Sequence, residues 1–529
     1  MVRPPPRRRL ACIARSCRSV GCAVALLGAM GAADAPAPAS RSPDDPEPTR
    51  TRRSLTTRQA IDLALFHNRG LAKAGLDREV QRFDLKVAQD EFVPDVSVSS
   101  GVRHNPVTTR GNEVTTRGAT SSVAVTQRIP TGARVALAWD SAATDRSAAT
   151  NKVYDSSVFL QLDQPLLRGG GVAVNLANLR IARLAEKSNV LEFKRSVIAT
   201  VTAVVLTYRN LQQAQLQEEV SRTALTRAQE QLRVNRALVT SGNLPPVEII
   251  QTEADIATRE FNLLTAQAAR DSARFALVKL LDVDRETTFV ASEEIALPQF
   301  ALDLETCRQL AFAHRPDYLQ ALQGKAILDL AVDVARNNRL WTLNLTSRYR
   351  IAGTDAGYRR AFDQSFDRLN EDWNVGLNLQ MPFGDLTRQQ TYLRARGRAQ
   401  KAAIDVTETT ENIEIEVRES LRAIELAQRR VSVAAVAREL AERKLEIEKG
   451  RLQAGRTTNF AIITFQNDLV TARLNEIGAQ ITYLNALTLL EQVLGTTLNA
   501  WGIRIDDLDQ DSGPARALPA ESTAATPRP

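Results

Sequence analysis

The chain has 529 residues, four cysteines and a net charge of +7, a length that allows three or four ordinary domains. Its proline-dense stretches lie at the ends, 35–48 and 513–529, so no linker of that kind divides the interior. Residues 1–53 hold ten arginines against four acids, which leaves 54–529 near +1, without the basic balance that nucleic-acid binding needs.

The N-terminus has the three parts of a secretory signal over 1–35. Arg3, Arg7, Arg8, Arg9, Arg15 and Arg18 form the positive region, 20–33 is a short apolar core, and Ala33-Asp34-Ala35 offers a cleavage site. A lipoprotein reading through Cys22 fits poorly, because Ser19-Val20-Gly21 precedes it after little apolar chain. Cys12, Cys17 and Cys22 would leave with the signal, so the mature chain keeps Cys307 alone and forms no internal disulfide. Residues 36–54 read as a disordered Pro-rich linker. After residue 35 no run of 18 apolar residues occurs, so if this exported chain enters a membrane it does so as strands.

The remainder is written twice. Leu63-Ala64-Leu65-Phe66-His67 recurs as Leu310-Ala311-Phe312-Ala313-His314, and Pro94 maps to Trp341 at the same offset of 247 (310 − 63, 341 − 94). Gly242 and Asp255 recur as Gly455 and Asp468 at an offset of 213 (455 − 242). A unit this long is a duplicated half-protein rather than a solenoid repeat. The repeats span 55–300 and 301–500, followed by a mostly disordered tail at 501–529. The offsets differ by 34 (247 − 213), so the first copy carries an insertion of about one hairpin.

Each copy opens with a short helix, 56–67 or 303–314, and a second helix of roughly 22–25 residues. Period-two alternation follows. Val96, Val98 and Val102 alternate with Ser97, Ser99 and Arg103, and Val158, Leu160 and Leu162 with Gln161 and Asp163. In the second copy, 341–350 and 373–382 alternate in the same way. A sandwich would also give one greasy and one wet side. Strands of about ten residues, tryptophans near their ends and the export signal favour an outer-membrane barrel, with Trp139, Trp341 and Trp373 as its aromatic belt.

Then come two proline-free helices, 175–241 and 387–454, each about 100 Å long at 1.5 Å per residue. Val197, Val201, Val204, Tyr208 and Leu211 recur in steps of four and three, as do Ile413, Val417, Ser420, Ile424, Ala427, Val431 and Ala434. That is a heptad seam. Each long helix stops at a glycine, Gly242 or Gly455, and a return helix follows at 247–281 or 458–494. Strands this few cannot close a barrel within one chain, and open edges are not tolerated in hydrocarbon. The chain is therefore expected to be an obligate cyclic oligomer.

This order of elements resembles the TolC-like outer-membrane efflux (outer-membrane factor) family over roughly 55–500. Beside the duplicated layout, the resemblance rests on Gln164-Pro165-Leu166-Leu167 and Met381-Pro382-Phe383 before the long helices, and on Glu248-Ile249-Ile250 after Gly242. It implies an α+β membrane protein: a homotrimer whose outer-membrane β-barrel is continued by a long α-helical periplasmic barrel. It further implies a passive duct set in outer-membrane lipid, which works with a periplasmic adaptor (membrane-fusion) protein and an inner-membrane pump or ABC transporter, without a cofactor. Ser241, Gly242, Asn243, Ala454, Gly455 and Arg456 would be the tips that the adaptor grips. The alternative is a periplasm-spanning structural or adhesin-like trimer without conductance, against which the duplication argues.

The chain departs from the family in two places. Pro94 to Pro165 is 71 residues against 41 from Trp341 to Pro382, so 30 of the 34 extra residues fall between strands, around 120–140. They hold two alternating runs on either side of a Pro130-Thr131-Gly132 turn. Family chains contribute four strands each and 12 per trimer, whereas six per chain would give 18. The apolar face on both runs favours a hairpin inside the barrel over an extended loop outside it. At the tip, Ala461 and Thr464 stand where relatives often carry aspartates, and Glu248 is the acid at the matching place in the first copy. These three are the constriction candidates, although Glu248 also suits a plain helix N-terminus.

Catalytic chemistry is missing. His67 and His314 are repeat equivalents, His104 is expected at a strand end, and no metal-ligand spacing exists. Gly169-Gly170-Gly171 lacks the Gly-Lys-Ser/Thr completion of a phosphate loop and reads as a strand-to-helix swivel.

Overall fold

A computed structural model describes residues 52–109, 112–146, 152–242, 244–301, 303–368, 370–454 and 456–504, all in the unit that begins at Arg50. The expected signal segment, residues 36–51 of the expected linker and residues 505–529 of the expected tail lie outside the described residues, whereas 52–54, read as linker, belong to a strand. The first repeat opens with β1 (Arg52–Leu55), α1 (Thr57–His67) and α2 (Arg69–Asp90). Thr56 and Gln59 form a reciprocal capping box at the start of α1, and the Asn68 side chain accepts from the Gly70 and Leu71 amides to start α2. Four strands follow: β2 (Asp95–Thr109), β3 (Asn112–Arg128), β4 (Arg134–Arg146) and β5 (Val153–Pro165). His104 lies within β2, opposite Arg117, and not at a strand end as its sequence setting suggests. The turn α3 (Val172–Asn175) then leads into α4 (Ala177–Thr240) and α5 (Val247–Leu281).

The second repeat holds β6 (Thr288–Ala291), α6 (Leu304–His314), α7 (Pro316–Asn337), β7 (Thr342–Asp355), α8 (Tyr358–Gln364) and β8 (Glu371–Gln380). It ends with α9 (Leu386–Gln453), α10 (Asn459–Leu494) and α11 (Thr497–Ala500). Six strands form one antiparallel sheet in the order β2-β3-β4-β5-β7-β8, while β1 and β6 make a short parallel pair. The β3–β4 hairpin sits inside that sheet, and β5 pairs with β7 to join the repeats. All the helical connections (α2, α4, α7 and α9) meet the sheet at one end, and α8 lies at the other.

Each repeat builds its own core where its short helices meet its long ones. In the first, Ile61 of α1 packs with Val197, Val201, Val204, Tyr208 and Leu211 of α4 and with Leu277 of α5. In the second, Cys307 and Ala311 of α6 pack with Ile413, Val417, Ile424 and Ala427 of α9 and with Tyr483 and Leu490 of α10. Full burial of such an aliphatic side chain contributes about 1.5–3 kcal/mol. Within the chain α5 lies on α4, α9 lies on α10, and α4 joins α10 across the repeats.

The outer faces of α5 and α9 remain greasy. On α9 the exposed apolar residues Leu393, Ile404, Ile415 and Leu426 recur every 11 residues, and Val433, Leu440 and Ile447 then continue every 7. On α5, Ile250 and Phe261, and Leu264 and Phe275, also stand 11 apart. An 11-residue period keeps a stripe along a nearly straight or slightly right-handed path, whereas a 7-residue period winds it left-handed.

Candidate functional site

Pairing register sorts the sheet side chains into two faces. One row runs Val96, Val125, Leu137, Leu160, Tyr349, Trp373 across all six strands, and the next runs Val98, Val123, Trp139, Val158, Ile351, Glu371. The opposite face carries Ser97, Ser99, Thr126, Asp140, Gln161, Arg348, Arg350 and Asn374. There the Arg348 guanidinium lies 4.1 Å from the Phe159 ring centre, and Arg350 pairs with Asp372 at 3.8 Å. One apolar and one charged, wet face is the pattern of a pore wall between lipid and water. The ladder ends at β2 and β8, whose outer edges have no partner among the described residues. Among the described residues no helix is long and apolar enough to cross a membrane.

Trp139 and Trp373 stand in adjacent rows toward the end of the sheet that bears α8, and Trp341 precedes β7 at the helical end. Trp373 is exposed. Trp139 instead lies half-buried under α8, its indole N–H donating to Ser156 Oγ at 3.0 Å and its ring edge-on to Phe362.

At the far end of the long helices, α4 closes on Ser241, whose N–H donates to the Ala237 carbonyl, and Gly242 takes φ = 74° to turn the chain toward Pro245-Pro246. In the second repeat, Ala454 N–H reaches Gly450 O and Arg456 N–H reaches Arg451 O. Asn243 and Gly455 lie outside the described residues. Glu248 is half-buried in the first turn of α5, and its Oε2 is buried without a hydrogen-bond partner. Ala461 receives the Thr458 cap at its amide, and the Thr464 hydroxyl donates to Phe460 O. None of these three candidates is bonded to another.

A buried polar knot just above the turns does join three helices. The Thr252 hydroxyl donates to Glu248 O at 2.8 Å and accepts from Asn235 Nδ2 at 2.8 Å and Asn459 Nδ2 at 3.0 Å. Gln231 Nε2 donates to Asn235 Oδ1 at 2.9 Å. Asn235, Thr252 and Asn459 are each 1% exposed, so the two amide bonds to the Thr252 hydroxyl are shielded from water. The knot ties α4 and α5 of the first repeat to α10 of the second.

Two half-buried opposite charges, Arg209 and Glu491, lie farther up the α4–α10 seam. Burial holds the Arg209 guanidinium below its ordinary value, against the opposing pull of Glu491 and Glu293. Burial likewise pushes the Glu491 carboxyl up from its ordinary 4.5, and the Arg209 charge opposes that shift. Arg209 donates to Leu484 O and Thr488 Oγ1, while Glu491 Oε2 has no hydrogen-bond partner. Among the described residues no cluster of His, Cys, Asp and Glu could hold a metal ion.

A family model described as outer membrane efflux protein matches residues 60–282 and 307–496. Among solved structures, the Campylobacter jejuni CmeC outer membrane channel superposes with a TM-score of 0.63 at 17% identity, covering 86% of this chain and 89% of that one. The Vibrio cholerae outer membrane protein VceC gives 0.61 at 17% identity, with 83% and 96% covered. The open state of the Neisseria gonorrhoeae MtrE outer membrane channel gives 0.61 at 17% identity, with 84% and 89% covered. No curated protein sequence matches. Because the matched segments take in most of both repeats and the fold joins a two-faced membrane sheet to long paired helices, the chain belongs to the outer membrane efflux protein family, whose trimeric channels sit in the outer membrane and extend into the periplasm.

Proposed function

We propose that the trimer is the passive outer-membrane duct of a tripartite efflux or type I secretion assembly. An inner-membrane pump or ABC transporter supplies the energy, and a periplasmic adaptor grips the turns at Ser241–Asn243 and Ala454–Arg456. The unpaired edges and greasy stripes support the assembly geometry: β2 pairs with β8 of the next protomer, and α5 packs on α9 of the next protomer along matched 11-residue periods. Six strands from each of three protomers make a barrel of 18.

The observation that carries the gate is the knot at Thr252. Opening the tips moves one pair of helices against the other, and the Asn459–Thr252 bond crosses that boundary beside the turns. A buried hub of this kind is either made or broken, which gives the tip two discrete states. Glu248, Ala461 and Thr464 take part as the rim of the constriction, without a ring of aspartates.

Thr252→Val keeps the shape and removes the hydroxyl, leaving the Asn235 and Asn459 amides unpaired at about 1–3 kcal/mol each. In planar bilayers the variant trimer is expected to conduct several-fold more at rest than the wild type, while remaining a trimer on gels. A trimer that stays silent with this substitution and with adaptor added would overturn the duct.

A further inference from the structure

The segment between β7 and β8 folds back as α8 onto the apolar face of the sheet. Ala361, Phe362 and Ser365 face inward, and Tyr358 lies at the exposed margin. Ser156 Oγ donates to Ser365 Oγ at 3.1 Å, Phe362 meets Trp139, and Tyr358 meets Tyr154 with ring centres 6.1 Å apart. The approach is so close that a Cβ at Gly353 would overlap the Ala361 carbonyl oxygen and lie 2.6 Å from Gln364 Cβ. So α8 is docked, not a loop resting on the surface.

Its outward side is what needs explaining. Arg359 and Arg360 are exposed there, beside Phe366 at 57% and Tyr358 at 48% exposure. Asp363 shares this side, yet among the described residues neither arginine has a carboxylate within ion-pairing distance. The apolar face is the one turned to lipid, and α8 lies at the end of the sheet away from the helices, hence at the cell-surface leaflet. A short helix carrying aromatic rings and guanidinium groups at that depth has the makeup of an interfacial element. Arginine's planar fork fits phosphate oxygens, and aromatic rings fit the boundary with acyl chains. Free phosphate would leave the exposed rings unexplained, whereas a phosphorylated lipid accounts for both.

We propose that α8 is a lipid-binding site for phosphate-bearing headgroups of the outer leaflet, with Arg359 and Arg360 on the phosphates and Tyr358 and Phe366 against the acyl chains. The proposal rests on the outer-membrane placement of the sheet and is independent of gating, so conductance and lipid retention can fail separately. The test incubates the intact trimer with lipid A, with lipid A stripped of its phosphates, or with phosphatidylcholine, and counts retained lipids by native mass spectrometry. The wild type should retain lipid A above the other two. Each of Arg359→Gln and Arg360→Gln should lower that affinity about fivefold, and both together about thirtyfold. Phe366→Ser should lower retention of all three lipids. Gly353→Ala, which undocks α8 with its arginines intact, should lose the preference for phosphate. Equal retention by the wild type and the double glutamine variant, equal retention of phosphorylated and stripped lipid A, or capture of a protein instead of lipid would each overturn the proposal.

Discussion

Single residues decide this molecule where polar groups are shut away from water. Glu491 is the clearest case, because its raised pKa means that the folded state binds the proton more tightly than the unfolded chain does. The stability this confers is fully present below the ordinary value of 4.5 and is lost as pH rises through the folded value. Glu491→Gln is therefore expected to raise the unfolding temperature of the solubilised trimer by a few degrees at pH 8 and to change little at pH 4, read by circular dichroism. Asn235 was missed from the sequence, although it continues the seven-residue step Ala214, Ser221, Ala228 as a polar residue in the seam, a signal that could have found it. Its partners carry no such signal. Thr252, in the second turn of α5, and Asn459, the first residue of α10, are ordinary until residues 17 and 207 positions apart in sequence are brought together.

At the scale of elements, the long helices were the easy part, because proline-free heptads have one stable outcome and Gly242 and Pro245-Pro246 end the first. The unpaired faces of α5 and α9 make a prediction of their own. Ile404 lies in the 11-residue stripe and is 66% exposed in the single chain. Ile404→Asp should place a charge in the seam between protomers and shift the population from trimer to monomer, with helix content retained, as measured by light scattering and circular dichroism. Wild-type trimer yield from this variant would mean that another surface closes the ring. Element α8 escaped the sequence reading, since seven residues are too few for a periodic signal and Arg359-Arg360 resembles an exposed loop. Gly353, where a side chain would collide with α8, marks the close approach only once the structure is known.

For the whole molecule, the consequence to check is barrel width. Diameter grows roughly linearly with strand number, so 18 strands make a barrel about 1.5 times as wide as 12. Electron microscopy of the trimer in nanodiscs should resolve six strands per protomer and that wider ring. Four strands per protomer, with 112–146 folded outside, would refute the width and leave the duct intact. A wide barrel would also place the size limit at the tips.

What the sequence determined by itself was everything carried by local periodicity and by duplication: two-faced strands, long seamed helices, the glycine stop at the first tip and kinship with the efflux channels. Those signals survive in sequence because each repeats over many residues, so single exceptions do not erase it. Tertiary structure settled the inserted hairpin, which sequence only favoured, inside the sheet, and it alone decided that α8 covers Trp139 and that two asparagines, one from each repeat, share the buried Thr252 hydroxyl. Each depends on contacts between segments distant in the chain, made by one or a few residues, and no periodic pattern records such a meeting.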